Sequence, residues 1–126
     1  MAFKPENYNS VSPYLTVNGA HATIDFLVKV FGATSLRSIP RETGKLAHGE
    51  VRIDDSVLMF SDAVEGWPTV SSHVHIYVAD VDATYARALA AGATAVQAPV
   101  QKNDADKRGG FQDAGGTTWW VSQQIG

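Results

Sequence analysis

The sequence predicts an α+β fold made of two βαβββ modules in tandem. Three observations carry this reading. The order strand, helix, strand, strand, strand occurs twice along 126 residues. The two occurrences stand at a nearly constant distance: Gly32-Ala33-Thr34 recurs as Gly92-Ala93-Thr94, an offset of 60, while Val17, Ala22-Thr23, Ile24 and Val28 meet Val78, Ala83-Thr84, Tyr85 and Leu89 at an offset of 61. The disagreement by one residue marks a single indel near the helix end. The two helical stretches also carry their apolar residues in the same phase, which weighs more than identities among common small residues.

The elements follow in order. Ser10 to Val17 is rich in Val, Tyr, Thr and Leu and reads as a strand. Asn18 is placed to cap the next helix. From Ala20 to Phe31 the residues Ile24, Leu27, Val28 and Phe31 recur at helical spacing and mark one apolar face. Gly32 is placed to end that helix. Ala33 to Ile39 reads as a strand stopped by Pro40. Leu46 to Ile53 and Ser56 to Phe60 read as a hairpin about the turn Asp54-Asp55. Residues 64–70 form a linker between modules 8–63 and 71–124 of a single domain spanning 1–126. In the second module His73 to Val78 is the strand and Asp80 the cap. Val81 to Ala91 is the helix, with Val81, Tyr85, Ala88 and Leu89 on one face. Ala93 to Val100 is a strand interrupted by Pro99, and Gln101 to Arg108 a charged loop. Gly109 to Gln112 and Thr117 to Ser122 close the module around the turn Asp113-Ala114-Gly115-Gly116.

Composition narrows the chemistry. The chain has no cysteine, which excludes a disulfide scaffold, a thiolate metal site, a catalytic thiol and iron–sulfur chemistry. With 10 basic and 13 acidic residues the net charge is −3, and no basic tract of five or more occurs. Nucleic acid and anionic membranes are therefore poor partners. The 44% apolar content is that of a globular domain. No apolar run approaches the roughly 20 residues of a membrane helix, and Met-Ala-Phe-Lys-Pro-Glu lacks a secretory signal's apolar stretch. The expectation is a soluble cytoplasmic protein.

Several strings resemble the vicinal oxygen chelate superfamily of glyoxalase I, bleomycin-resistance proteins, extradiol dioxygenases and fosfomycin-resistance enzymes. Tyr14-Leu15-Thr16-Val17-Asn18-Gly19-Ala20, Val30-Phe31-Gly32-Ala33, His48-Gly49-Glu50-Val51-Arg52-Ile53 and Asp55 to Asp62 are similar to its glyoxalase-like subgroup associated with phosphonate operons. His75-Ile76-Tyr77-Val78, Asp80-Val81-Asp82-Ala83 and Ala90-Ala91-Gly92-Ala93-Thr94 resemble the start of that subgroup's second module. The resemblance implies a curved sheet around a cup and a homodimer. One departure is visible: where the family has Asp-Pro-x-Gly-x-x-Trp, this chain has Asp113-Ala114-Gly115-Gly116-Thr117-Thr118-Trp119.

Metal-using members take ligands from the first and last strands of each module. The resemblance carries those positions onto Ser12, Met59, His73 and Trp120, two pairs that also obey the offset of 61. Of the four only His73 is a good ligand for a divalent ion, so no metal and no cofactor are expected. His73-Val74-His75 and His48-Gly49-Glu50 each place two polar groups on one strand face, enough for zinc if they converge. The alternative is that they line a cavity or pair across strands. His48 and His75 are typical of the subgroup's pocket, and either imidazole could serve as acid or base. The resemblance implies that Trp120 faces the cup beside Met59 and that Trp119, its neighbour, faces the core. Together with Trp67 this suits metal-independent binding of a small, flat organic molecule in an apolar, aromatic-lined cup. The ligand-binding set is thus Ser12, His48, Met59, Trp67, His73, His75 and Trp120, with no catalytic residue assigned. The rival is a lyase, isomerase or dioxygenase that uses a non-standard metal set or histidine acid–base groups. A second rival is a cup filled by Trp120.

Overall fold

The computed structural model describes residues 2–126. The chain divides into two compact units, one running to Val70 and one beginning at Ser71. The first contains β1 (Tyr14–Val17), α1 (Ala20–Phe31), β2 (Thr34–Pro40), β3 (Leu46–Ile53) and β4 (Ser56–Asp62). The second contains β5 (Ser72–Tyr77), α2 (Val81–Ala90), β6 (Thr94–Gln101), β7 (Asp106–Gln112) and β8 (Thr117–Gln124). Each unit is a βαβββ module with one mixed four-stranded sheet, ordered β1-β4-β3-β2 in the first and β5-β8-β7-β6 in the second. First and last strands pair in parallel and the others antiparallel. No helix among the described residues is long and apolar enough to cross a membrane.

Each helix covers one face of its sheet. In α1 the buried residues are Ala20, Thr23, Ile24, Phe26, Leu27 and Val30. The expected stripe is rotated: Val28 is 43% exposed and Phe31 half-buried. The reason is packing against the sheet. The buried face keeps Ile24 and Leu27 and takes Phe26 and Val30 in place of Val28 and Phe31, with the small Ala20 and Thr23 beside them. In α2 the same rotation buries Val81, Thr84 and Ala88, leaves Leu89 exposed and leaves Tyr85 half-buried beside Phe111. The core of the first module lies between α1 and Val17, Val51, Leu58 and Phe60. That of the second contains Phe111, Val121 and Trp119, whose indole N–H donates to Asp113 at 2.9 Å.

The helix starts correct a second expectation. Asn18 does not cap α1: Gly19 is the N-cap and has no side chain to offer. Parallel pairing sets Val17 beside Asp62. The Asp62 carboxylate accepts from the amides of Gly19 and Ala20, both at 2.9 Å, and of Leu46 at 2.7 Å. Burial works to raise its pKa, but these three backbone donors outweigh burial and hold it below the ordinary carboxylate value. For α2, Asp80 does accept from Ala83, and Gln123, 61 residues after Asp62, accepts from the Val81 amide at 3.0 Å. Gly32 ends α1 with φ +66°, the left-handed conformation glycine adopts without strain.

Several strand limits also differ. The strand expected from Ser10 begins at Tyr14. The loop expected through Arg108 stops before Asp106, because Asp106 to Arg108 pair with Gln124 to Ser122. Pro99 lies within β6, which tolerates a missing N–H because it is the edge strand. Residues 64–70 are not free chain: Val64 and Trp67 form a bridge, and the Val70 amide donates to the Thr16 carbonyl. The turn without proline is held by Asp113, whose carboxylate accepts from the Thr117 amide as well as from Trp119.

Candidate ligand-binding site

Strand alternation assigns the sheet face away from each helix. In the first module β1, β4 and β3 bring Tyr14, Met59 and Glu50 side by side, Met59 pairing with both. In the second, β5, β8 and β7 bring His75, Trp120 and Gly110 into the same arrangement. Four of the expected residues, Ser12, His48, Met59 and Trp67, belong to the first module, and His73, His75 and Trp120 to the second.

Glu50 is fully buried and organises the first module's open face. It accepts from the Tyr8 hydroxyl at 2.5 Å, from His48 Nε2 at 2.6 Å and from Arg37 at 3.3 Å. Burial alone would raise its pKa, yet hydrogen bonds from Tyr8 and His48 and the Arg37 charge overcome that and keep it ionised. The same bond raises the pKa of Tyr8. The other nitrogen of His48, Nδ1, lies 3.1 Å from the Tyr14 hydroxyl. Met59 is half-buried between these residues, and Ser12 is half-buried ahead of β1.

A cavity of about 350 Å³ opens beside them, lined by Tyr14, Arg41, Ala47, Ser61 and Trp67. Trp67 is 58% exposed and is held by its indole N–H donating to Thr16 at 3.1 Å. Ser61 is 3% exposed and its hydroxyl has no partner. A buried hydroxyl left unpaired costs about 1–3 kcal/mol, so it is a group a ligand can repay. Of these lining residues the sequence reading named Trp67 as a site residue. Tyr14 and Ser61 lie two positions beyond Ser12 and Met59, so period-two alternation put them on the same faces. Arg41 had no such signal, since it sits in the β2–β3 loop.

In the second module Trp120 lies flat over Gly110, where an added Cβ would stand 2.6 Å from two ring carbons. Its indole N–H donates to His73 Nδ1 at 3.0 Å, with the rings nearly parallel at 12°. His75 Nε2 meets the Ser122 hydroxyl at 2.8 Å, and Arg108 Nε donates to the same oxygen at 3.0 Å. Burial and the Arg108 charge lower the His75 pKa against an opposing pull from Asp106. Asp106 also accepts from Tyr77 at 2.7 Å, which raises the pKa of that phenol.

The residues do not fit a divalent metal at the positions the metal-using relatives employ. Indole is a donor only, so His73 Nδ1 must be the acceptor, and a neutral His73 then carries its proton on Nε2. The best ligand of the four has its lone pair engaged. Among the described residues no three histidine, aspartate or glutamate side chains gather into a group able to hold a metal ion.

Comparison with known proteins finds relatives of the same fold. A model of the Glyoxalase/Bleomycin resistance protein/Dioxygenase superfamily matches residues 8–121. An uncharacterised protein of Mycobacterium bovis is 35% identical over 130 residues, 92% of this chain and 84% of its own length. TioX from Micromonospora sp. ML1 superposes with TM-score 0.78 at 24% identity, covering 93% of this chain and 99% of that one. TnmS3, an antibiotic binding protein from Streptomyces sp. CB03234, superposes with TM-score 0.71 at 22% identity, covering 98% of each chain. At such identities these two structures speak for a shared α+β fold.

Proposed function

This chain belongs to the Glyoxalase/Bleomycin resistance protein/Dioxygenase superfamily, and we propose that within it the protein binds a small, flat organic molecule without a metal. The observation that carries this is the unpaired, buried Ser61 hydroxyl at a cavity walled by an exposed indole. Trp67 offers a stacking face, Ser61 a hydrogen bond and Arg41 a cation, which together orient an aromatic ligand bearing oxygen. The cavity is more polar than the apolar cup expected from Met59 and Trp120. That a structural neighbour is an antibiotic binding protein supports the same class of ligand. A homodimer belongs to the same reading, and light scattering on the purified chain tests it.

The test is a titration of tryptophan fluorescence with bleomycin and with 7-methoxycoumarin, with and without EDTA. Saturable quenching of equal affinity under both conditions, lost in Trp67→Ala, is the expected result. Binding that EDTA abolishes and added metal restores would overturn it in favour of a non-standard metal site.

A further inference from the structure

Tyr14, His48 and Glu50 form a chain of hydrogen bonds whose polarity follows from chemistry. Glu50 is ionised and can only accept, so His48 Nε2, at 2.6 Å, must donate to it. In the neutral imidazole His48 Nδ1 is then the acceptor, and the Tyr14 hydroxyl at 3.1 Å donates to it. The carboxylate end is sealed, since Glu50 is fully buried and its remaining capacity is taken by Tyr8 and Arg37. The phenol end is open: Tyr14 is 49% exposed and lines the cavity with Ser61, Trp67 and Arg41. Among the described residues Arg41 forms no salt bridge, so its charge is available to the cavity.

We infer that these three residues are a proton relay that takes the acidic proton of a bound hydroxyarene, so that the preferred ligand of the module-one cavity is a weakly acidic phenol held as its anion. This rests on the binding reading above and names its ligand class. The step balances without a co-reactant. The ligand's O–H proton passes to the Tyr14 oxygen as the Tyr14 proton passes to His48 Nδ1. One O–H bond breaks and one forms at Tyr14, the ligand is left as oxyanion, and His48 becomes imidazolium. The new cation is paired with Glu50, and the new anion receives the Tyr14 hydroxyl and faces Arg41. The charged and titratable groups around the relay are therefore Glu50 on β3, Arg37 on β2, Tyr8 ahead of β1, and Arg41 in the β2–β3 loop. The second module lacks the device: register puts His75, Arg108 and Gly110 at the corresponding positions, with a fixed cation in place of the imidazole and a glycine in place of Glu50.

The test uses 7-hydroxycoumarin, whose phenol and phenolate forms have distinct excitation spectra, and 7-methoxycoumarin, which has no proton to give. The full chain is titrated with each, about one pH unit below the pKa of free 7-hydroxycoumarin. The expected result is that bound 7-hydroxycoumarin shows the phenolate excitation spectrum and binds about tenfold more tightly than the methoxy compound. In Tyr14→Phe and in His48→Gln the bound probe reverts to the phenol spectrum, and the preference for 7-hydroxycoumarin over 7-methoxycoumarin falls from about tenfold to about twofold or less. A phenol spectrum in the unsubstituted protein overturns the relay, as does a phenolate spectrum that persists in both variants, which would assign ionisation to Arg41 alone. If neither coumarin binds, the binding reading fails as well. If only the methoxy compound's equal affinity is seen, the relay alone fails.

Discussion

Ser61 and Ser122 occupy the same place in the two modules, 61 residues apart near the end of each last strand, and both are buried. Ser122 is met by His75 and Arg108. Ser61 is met by nothing and adjoins a cavity. At this position the second module satisfies its buried serine with its own side chains and the first does not, while Thr117 shows that the second module too keeps an unpaired buried hydroxyl elsewhere. The same contrast runs through the neighbouring row. Tyr14, His48 and Glu50 form an open-ended chain around a buried carboxylate, whereas Trp120 has spread over Gly110 and engaged His73. At these matched positions the duplicated scaffold thus satisfies itself in the second half and keeps unmet capacity beside a cavity in the first. Unmet capacity is what binding requires.

The largest expected effect breaks the symmetry of the helix starts. Asp62 serves three backbone amides as a charged acceptor, and Gln123 serves one as a neutral acceptor. Asp62→Ala orphans three donors and should cost about 3 kcal/mol, against about 1 kcal/mol for Gln123→Ala. Urea unfolding of both variants measures the ratio. Equal losses would show that the charge and the extra bonds contribute nothing.

Next comes the contact that distinguishes the two rows. Gly110→Ala drives a Cβ into the Trp120 ring and should destabilise by about 2 kcal/mol, with a shifted tryptophan emission. In a Trp120→Met background, which copies the Met59 of module one, the same substitution should cost less than half as much. A cost unchanged by that background would place the strain in the backbone instead of the ring contact.

The serines give a smaller effect with opposite expectations. Ser122→Ala leaves a bond to Arg108 and one to His75 unmade and should cost about 1 kcal/mol. Ser61→Ala removes an unpaired hydroxyl and should leave the free protein within about 0.5 kcal/mol of the parent. It should nonetheless weaken 7-methoxycoumarin binding. If Ser61→Ala destabilises as much as Ser122→Ala, Ser61 has a partner in the folded chain and the contrast between the modules is lost.

These contrasts also mark how far the sequence could be read. Element order, the tandem repeat and the extent of α1 were legible because each is local: hydrophobic period, glycine and turn chemistry act within a few residues. The Asp80 cap was legible for the same reason. Asp62 was not, because its amides lie more than 40 residues away for Gly19 and Ala20 and reach it only through parallel pairing. The rotated face of α1 was hidden because Phe26 and Val30 compete with Val28 and Phe31 around the same helix, and only packing against the sheet chooses between them. His48 and Glu50 were legible as a pair on one face, but nothing local shows that Glu50 is sealed by Tyr8, 42 residues away. Ser61's missing partner is an absence, which no residue type announces.

The smallest expected effect is one of pH, and it separates the modules in time during acidification. His75 has a lowered pKa in the folded state, so the unfolded chain binds its proton first. The second module's contribution is whole above the unfolded histidine value of about 6.5 and declines as pH falls from there through the folded value. Glu50 and Asp62 are lowered carboxylates, so what they contribute is present above about pH 4 and is lost only as pH falls through their folded values. Thermal unfolding followed from pH 8 to pH 3 should therefore show a shallow early decline and a steeper late one. His75→Gln should remove the early limb and leave the late limb, and Asp62→Asn should leave the early limb and make the late one shallower, with the Glu50 part remaining. An early limb that survives His75→Gln would mean that this imidazole is not held neutral by desolvation and the Arg108 charge.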